Sequence, residues 1–509
     1  MNPKRKMKKH CVKGMNFRWR SGCFKNYLKF IYNKMFKMKI GKQIGIDNIN
    51  MASSNQSTEK KNKRALPTIA LMGILAVFLF YTTFLAMHLQ PGIVPDEPYR
   101  YEVSRYFSQT WGIPQDVPIA VEYGDNLSRN PFLGYWLFGR IIQFENWVAP
   151  GSTAFQQLVW LRLVNSLFAL GTLIVTYFIA KALIKNPWLQ VLPVFLLANT
   201  LMFAFLAGGV SYDNPTNLAC ALGILFLVRV LNGKDFLQNS LGWLIALSIA
   251  TLIKYSVLPL LAITFVIWVV FIVRNPGSLK SVKPKTWPQY LLISVMLLLV
   301  LGNVWLYGGN LIKFHSVLPN CTDTYSDEIC QQSHWIARRN EIGLPQKLSI
   351  RQAVELGYPE PIRYFFDVWA KEMFSKIFGI LGHKVYFPIV ISYFQIAFLW
   401  LALLSSRYIR KPSYRSINLF LLVAAYAAVL LYLNYNTELE YGFKHVALQG
   451  RYFFPVISLA MVMVGMLLEK VDNKIVRRLT ILALILLFLY GSPIRFFWYQ
   501  DSVFMDWFV

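Results

Sequence analysis

Apolar residues run along this chain in blocks, most of them about 18 or more residues long, separated by short polar turns and by two long polar segments. A helix of that length, at about 1.5 Å per residue, crosses the roughly 30 Å of hydrocarbon in a bilayer. The pattern predicts eleven membrane-spanning helices, at about 66–89, 157–180, 188–208, 214–231, 239–253, 256–273, 288–308, 386–406, 417–435, 452–468 and 475–494. Helical periodicity also marks two stretches outside these blocks. Tyr99, Val103, Tyr106 and Phe107 fall on one face, with Arg100, Glu102, Arg105 and Gln109 on the other, which predicts a helix lying in the membrane interface. Residues 131–147 predict a second surface or re-entrant helix, with Trp136 and Arg140 suited to headgroup depth. The expected fold class is an all-α polytopic integral membrane protein with two long outer loops, 90–156 and 309–385.

Composition supports this class: 55% of residues are hydrophobic and only 15% charged, with mean hydropathy +0.41. The formal charge of +27 suggests nucleic acid until it is located. Residues 1–64 carry 18 Lys and Arg against 2 acids, so +16 sits in a tail directly preceding the first span. Cytoplasmic retention and attraction to anionic lipid account for such a tail, so no nucleic-acid partner is expected. Phe24, Leu28, Ile31 and Met35 recur in it at helical spacing, while Met51 is an alternative start that would place the preceding residues upstream of the protein. The expected division is a basic cytoplasmic tail 1–65, a membrane domain 66–498 and a short outer tail 499–509. With the N-terminus inside, every inner loop is short and basic, as in Lys181 with Lys185 and Arg407 with Arg410, which puts the long loops and the C-terminus outside. An outer compartment permits a disulfide between Cys321 and Cys330, with two free thiols as the alternative.

Ionisable residues are nearly absent from the middle of the spans and gather at outer ends. Transporters need charged or broken-helix sites near the midplane, so the distribution favours chemistry at the outer surface. Four features can meet there: Asp96 with Glu97, Asp213 in Ser211-Tyr212-Asp213-Asn214-Pro215, Lys254 with Tyr255, and Arg451 in Gln449-Gly450-Arg451-Tyr452-Phe453-Phe454-Pro455. Carboxylates beside cations suit a reaction with a proton to remove and an anionic leaving group to hold. Each feature has a structural rival. Asp96 and Glu97 can simply start a helix, Asp213 can cap one, Lys254 can snorkel and Arg451 can pair with a headgroup. The six histidines show no ligand spacing and no metal is assigned, although a hard divalent cation at Asp96 and Glu97 is compatible with the sequence.

Pro95-Asp96-Glu97, Tyr212-Asp213-Asn214-Pro215 and Gln449-Gly450-Arg451-Tyr452-Phe453-Phe454-Pro455 resemble the motifs of a bacterial membrane family of unassigned function within the GT-C superfamily of membrane glycosyltransferases. The likeness covers roughly 66–470, and the Gln-Gly-Arg-Tyr stretch is its most specific part. It implies transfer of a sugar from a polyprenyl-phosphate donor to a cell-envelope glycan acceptor at the outer face of the cytoplasmic membrane. The resemblance implies Asp96 in catalysis and Arg451, with Lys254, on the lipid phosphate; Glu97 and Asp213 are further catalytic candidates, and Tyr99, Arg100, Gln449 and Tyr452 are candidates for holding substrate. A histidine usual in the first-loop motif is replaced here by Tyr99 or Tyr101, which puts any histidine-dependent step in doubt. The alternatives are a flippase or transporter of lipid-linked sugar, and a glycan polymerase or ligase working through 309–385 with Arg338, Arg339 and Arg363.

Overall fold

The computed structural model describes residues 51–115, 117–281, 284, 286–341, 347–381, 385–409, 412–445, 448–493 and 506–508. The amphipathic stretch of the basic tail, with Cys11 and Cys23, lies outside them. The chain divides into Met1–Asn62, described only from Met51, where it is helical, and a second unit, Lys63–Val509.

Among the described residues, nine helices have the length and apolarity to cross a membrane: Ala65–His88, Ala154–Leu183, Asp213–Leu231, Phe236–Ile253, Tyr255–Arg274, Trp287–Phe314, Pro388–Tyr408, Tyr414–Glu440 and Gly450–Lys470. The protein is therefore all-α and multi-pass. The block expected at 188–208 is broken into Pro187–Ala198 and Leu201–Ala207, bent by 69°, and makes a tenth crossing if the pair counts as one. Side chains mark the break. Asn199 Nδ2 donates to Phe195 O at 2.8 Å and Thr200 Oγ1 to Leu196 O at 3.0 Å, both turned back onto the preceding helix. The last expected span is the helix Lys474–Tyr490, whose 17 residues are at the lower end of the length that crosses a bilayer. The span expected at 288–308 continues to Phe314 through a π-helical turn at Val304–Gly308.

In the first loop, Glu97–Gln109 and Leu133–Val148 are helices, the second having 16 residues and about 24 Å of length, too short to cross. Their packing corrects one expectation. The face carrying Tyr99, Val103 and Phe107 does not lie on lipid but is buried within the loop against Val117, Ala120, Leu127 and Tyr135. The helices touch closely where Gly139 leaves room, since a Cβ there would meet the Phe107 carbonyl carbon at 2.8 Å. Arg140, expected at headgroup depth, is half-buried and engages backbone instead. It donates to the carbonyls of Phe107 and Thr110, capping Glu97–Gln109 from the side.

The second loop forms short helices, the disulfide Cys321–Cys330 and a small hairpin pairing Ile380 with Tyr386 and Leu381 with Val385. Ala353, Tyr364, Trp369 and Met373 pack there against Leu430, Tyr435 and Leu439 at the end of Tyr414–Glu440. Arg363 is exposed and pairs with Asp367, at 3.1 Å, while the side chains of Arg338 and Arg339 lie outside the described residues. A β-bridge between Leu89 and Phe508 brings the C-terminal residues to the end of the first span that carries the first loop.

Two glycines set the approach of the bent pair to that end. A Cβ on Gly208 would stand 2.5 Å from Leu85 Cβ, and one on Gly209 would stand 2.4 Å from Val94 Cγ2. Gly209→Ala is expected to lower the thermal midpoint, by the roughly 1–3 kcal/mol typical of overpacking, and Val94→Ala should restore much of the loss; melting of the purified single and double variants checks both.

Candidate active site at one end of the bundle

The first loop is anchored by a buried ion pair. Glu97, 1% exposed, faces Arg162, 0% exposed, with Nε to Oε1 at 2.8 Å and Nη2 to Oε2 at 2.6 Å. The carboxylate also accepts the backbone N–H of Val210 at 2.9 Å and of Gly92 at 3.3 Å. Arg162 sends its other donors to the carbonyls of Leu89 at 2.6 Å, Gln90 at 3.2 Å and Ala86 at 3.4 Å. Those carbonyls end the first span, where a helix leaves its last acceptors unsatisfied. One guanidinium thus joins the first span, the loop after it and the span Ala154–Leu183.

The same helical face continues the grip one turn on. Asn165 Oδ1 accepts from Ser211 N at 3.3 Å and Asn214 Nδ2 at 3.1 Å, and Ser166 Oγ donates to Ala207 O at 2.9 Å. Spacing of three and four residues puts Arg162, Asn165 and Ser166 on one stripe, so a single helix holds both polar segments that carry the site carboxylates.

Asp96 turns the chain into the loop helix in a left-handed conformation, φ 60°, with Pro98 in the first turn, where no N–H is missed. Its side chain is 40% exposed, and Oδ2 accepts from Arg451 Nη2 at 2.6 Å and Arg100 Nη2 at 3.1 Å. Asp213, 2% exposed, opens the next span and is closed in by cations: Lys254 Nζ at 2.5 Å, Arg451 Nε at 3.8 Å and Arg100 Nη2 at 3.9 Å. Ser211 Oγ bonds both Asp213 Oδ2 and Asp213 N at 3.2 Å and accepts Arg100 Nη1 at 2.8 Å. Tyrosine rings line the cations. Arg100 lies 4.3 Å over Tyr212, and Lys254 lies 4.6 Å over Tyr452.

Two turns bring in the cations. Lys254 ends Phe236–Ile253 in extended backbone, and Arg451 opens Gly450–Lys470 in a 3-10 turn after Gln449. Tyr426 joins them, its hydroxyl contacting Ser256 O at 3.2 Å and Tyr452 O at 3.0 Å. A Cβ on Gly450 would meet the Lys376 carbonyl carbon at 2.7 Å, so glycine lets the Arg451 turn sit against the second loop's last helix.

The structure therefore brings together Asp96, Asp213, Arg100, Lys254 and Arg451, with Tyr212 and Tyr452, and places three cations against two carboxylates. Lys254 is not at the lipid surface; it is 5% exposed and turned onto Asp213. Glu97 is adjacent in sequence to Asp96 but engages a different arginine, so the two carboxylates do not share one cation. Tyr99 lies beside the cluster, its hydroxyl donating to Asp125 Oδ2 at 2.6 Å and its ring 4.4 Å from Tyr123. The sequence reading overlooked Asp125 and the role of Arg162. A charge set inside an apolar helix with Asn165 and Ser166 on its face was the signal for Arg162; a loop aspartate gave none.

Asp125 also accepts from Asn130 Nδ2 at 2.9 Å. Burial pushes its carboxyl up to about 6, against the opposing pull of the Tyr99 and Asn130 hydrogen bonds.

The family described as dolichyl-phosphate-mannose-protein mannosyltransferase matches residues 73–318, somewhat under half of the chain and including the first loop, Asp213 and Lys254. No curated protein sequence matches the chain. Among solved structures, the chain is similar to ArnT from Cupriavidus metallidurans bound to undecaprenyl phosphate, at 14% identity over 80% of this chain and 60% of that one, with TM-score 0.42. It is also similar to the oligosaccharyltransferase AglB from Archaeoglobus fulgidus in complex with an inhibitory peptide and a dolichol phosphate, at 13% identity over 83% of this chain and 55% of that one, with TM-score 0.47. The chain spans less than two thirds of either.

Removing one partner of a buried pair leaves the other charge uncompensated, at about 3–5 kcal/mol. Glu97→Gln and Arg162→Met are each expected to lower the yield of folded protein and the thermal midpoint, by size-exclusion profile and melting. Asp125 gives a pH signature. Its folded proton affinity exceeds the unfolded one, so its contribution to stability is full below about pH 4 and is lost as pH rises to about 6. Asp125→Asn should therefore gain thermal midpoint relative to wild type at pH 7.5, with the gain shrinking as pH falls toward 4.

Proposed function

We propose that this chain is a membrane glycosyltransferase that moves a sugar from a polyprenyl-phosphate carrier to a glycan acceptor of the cell envelope. Its N-terminus is in the cytoplasm and the site at the outer face of the cytoplasmic membrane, a reading supported by the short basic inner loops. The observation that carries the reading is the buried cation cluster. Arg451 Nε and Nη1 and Arg100 Nε have no hydrogen-bond acceptor among the described residues, and the cluster's cations exceed its carboxylates. Buried guanidinium donors of this kind suit a phosphate. The family match adds support, since the dolichyl phosphate in its description is a lipid phosphate of the same chemistry.

Roles follow from exposure and partners. Asp96 is the site carboxylate that reaches solvent, so it takes the proton of the acceptor hydroxyl. The acceptor oxygen bonds to the anomeric carbon as the bond from that carbon to the phosphate oxygen breaks. The polyprenyl phosphate leaves with the electron pair, and the charge growing on it is met by Arg451 and Lys254. Asp213, enclosed by three cations, fixes those cations. Glu97, with its oxygens engaged by Arg162, Val210 and Gly92, positions the loop that presents Asp96. Tyr212 and Tyr452 face the cations with their rings.

Transfer by the purified protein in liposomes, with radiolabelled polyprenyl-phosphate sugars and crude envelope acceptor, tests this. Asp96→Asn is expected to lower turnover at least about 100-fold with an unchanged elution profile. Arg451→Gln should lose most activity, and Arg363→Glu in the second loop should retain it. Lipid-linked sugar crossing the bilayer with no donor consumed would replace the enzyme with a flippase. Loss at Arg363→Glu with retention at Asp96→Asn would move the chemistry to the second loop.

A further inference from the structure

Arg451 and Asp96 occupy each other. The carboxylate that serves as base holds Arg451 Nη2 at 2.6 Å, and that guanidinium is also the group offered to the donor phosphate. A carboxylate bonded this closely to a guanidinium is a weak base, and a guanidinium bonded to a carboxylate is a weakened anion receptor. Both functions need this bond opened.

The two arginines on Asp96 are not equivalent. Arg100 is 1% exposed and fixed on three sides, by Ser211 Oγ at 2.8 Å, by Asp213 within 3.9 Å and by the Tyr212 ring at 4.3 Å. Arg451 has one hydrogen bond, the one to Asp96, with Nε and Nη1 unused among the described residues, and Asp213 stands 3.8 Å from its Nε. Moving Arg451 costs one bond, whereas moving Arg100 dismantles a network. Both arginines bond the same oxygen, Asp96 Oδ2, Arg451 at 2.6 Å and Arg100 at 3.1 Å, so releasing Arg451 removes the shorter bond and leaves Asp96 held only by the longer one, a stronger base than before.

We propose that Arg451 exchanges Asp96 for the phosphate of the donor, so that donor binding itself releases Asp96 to act as base while Arg100 keeps the carboxylate in place. This rests on the glycosyltransferase reading and deepens it. The donor seats first, and only the occupied site can deprotonate an acceptor. Without donor, Asp96 stays neutralised, and water or acceptor at the mouth meets no competent base. Arg100 is a positioning residue in this scheme; Asp96 and Arg451 touch the reacting groups.

The exchange predicts a specific coupling. If Asp96 competes with phosphate for Arg451, removing its charge strengthens phosphate binding through Arg451. Binding of decaprenyl phosphate to the purified full chain in nanodiscs, measured for wild type, Asp96→Asn, Arg451→Gln and the double variant, tests it. The expected result is about three- to tenfold tighter binding by Asp96→Asn than by wild type, and a change below about twofold for the same substitution in the Arg451→Gln background. Equal tightening in both backgrounds would reduce the effect to general charge removal and overturn the exchange. Weaker binding by Asp96→Asn would also overturn it. If wild type binds no decaprenyl phosphate, the donor reading fails and the exchange with it; binding without coupling overturns the exchange alone. Asp96→Ala provides the same test should Asp96→Asn fail to fold. A pH profile adds a readout that a structural role would not move: the acid limb of kcat, which reports the donor complex, should lie at higher pH than that of kcat/KM for the donor.

Discussion

The site depends on one guanidinium. Arg162 lies inside an apolar helix, where an unpaired charge is costly, and its donors are taken up by the Glu97 carboxylate and by carbonyls at the end of the first span. Because Glu97 begins the loop helix, the same bonds set where Asp96, one residue earlier, turns in its left-handed conformation. Its oxygens also bind Val210 N, which fixes the segment leading to Ser211 and Asp213. Both site carboxylates are therefore registered against one helix, and Gly208 and Gly209 let the chain come close enough for it.

On that frame two of the cations arrive from helices distant in sequence. Lys254 and Arg451 stand at the ends of spans that have no sequence proximity to the first loop, and Tyr426 ties their turns together. Their burial is tolerated because Asp213 and Asp96 offset most of the charge and tyrosine rings take up the remaining faces. The arrangement leaves a surplus of positive charge, with donors that meet no acceptor among the described residues, beside the exposed carboxylate. That balance is the basis of the proposed phosphate site.

Much of this was legible in the amino-acid pattern. Span length comes from apolar block length alone, and clustering of ionisable residues at outer ends marked Asp96, Asp213, Lys254 and Arg451 as one candidate group. The fate of faces and partners was not legible. Tyr99, Val103 and Phe107 have the spacing of a membrane-lying helix, and nothing local says that Leu133–Val148 covers them instead. The break at Asn199 and Thr200 interrupts an unbroken apolar signal, since two small polar residues barely change its mean hydropathy. Glu97 and Asp96 look alike in sequence, yet the partner that seals Glu97 lies 65 residues away, so their division of labour is a tertiary fact.

The most direct test of the central claim is the position of the phosphate itself. An experimental density map of the full chain in nanodiscs with decaprenyl phosphate should place the phosphate within hydrogen-bonding distance of Arg451 and near Lys254, at the bundle end that carries the first loop. A phosphate found midway along the spans, or against the second loop beside Arg363, would contradict the account.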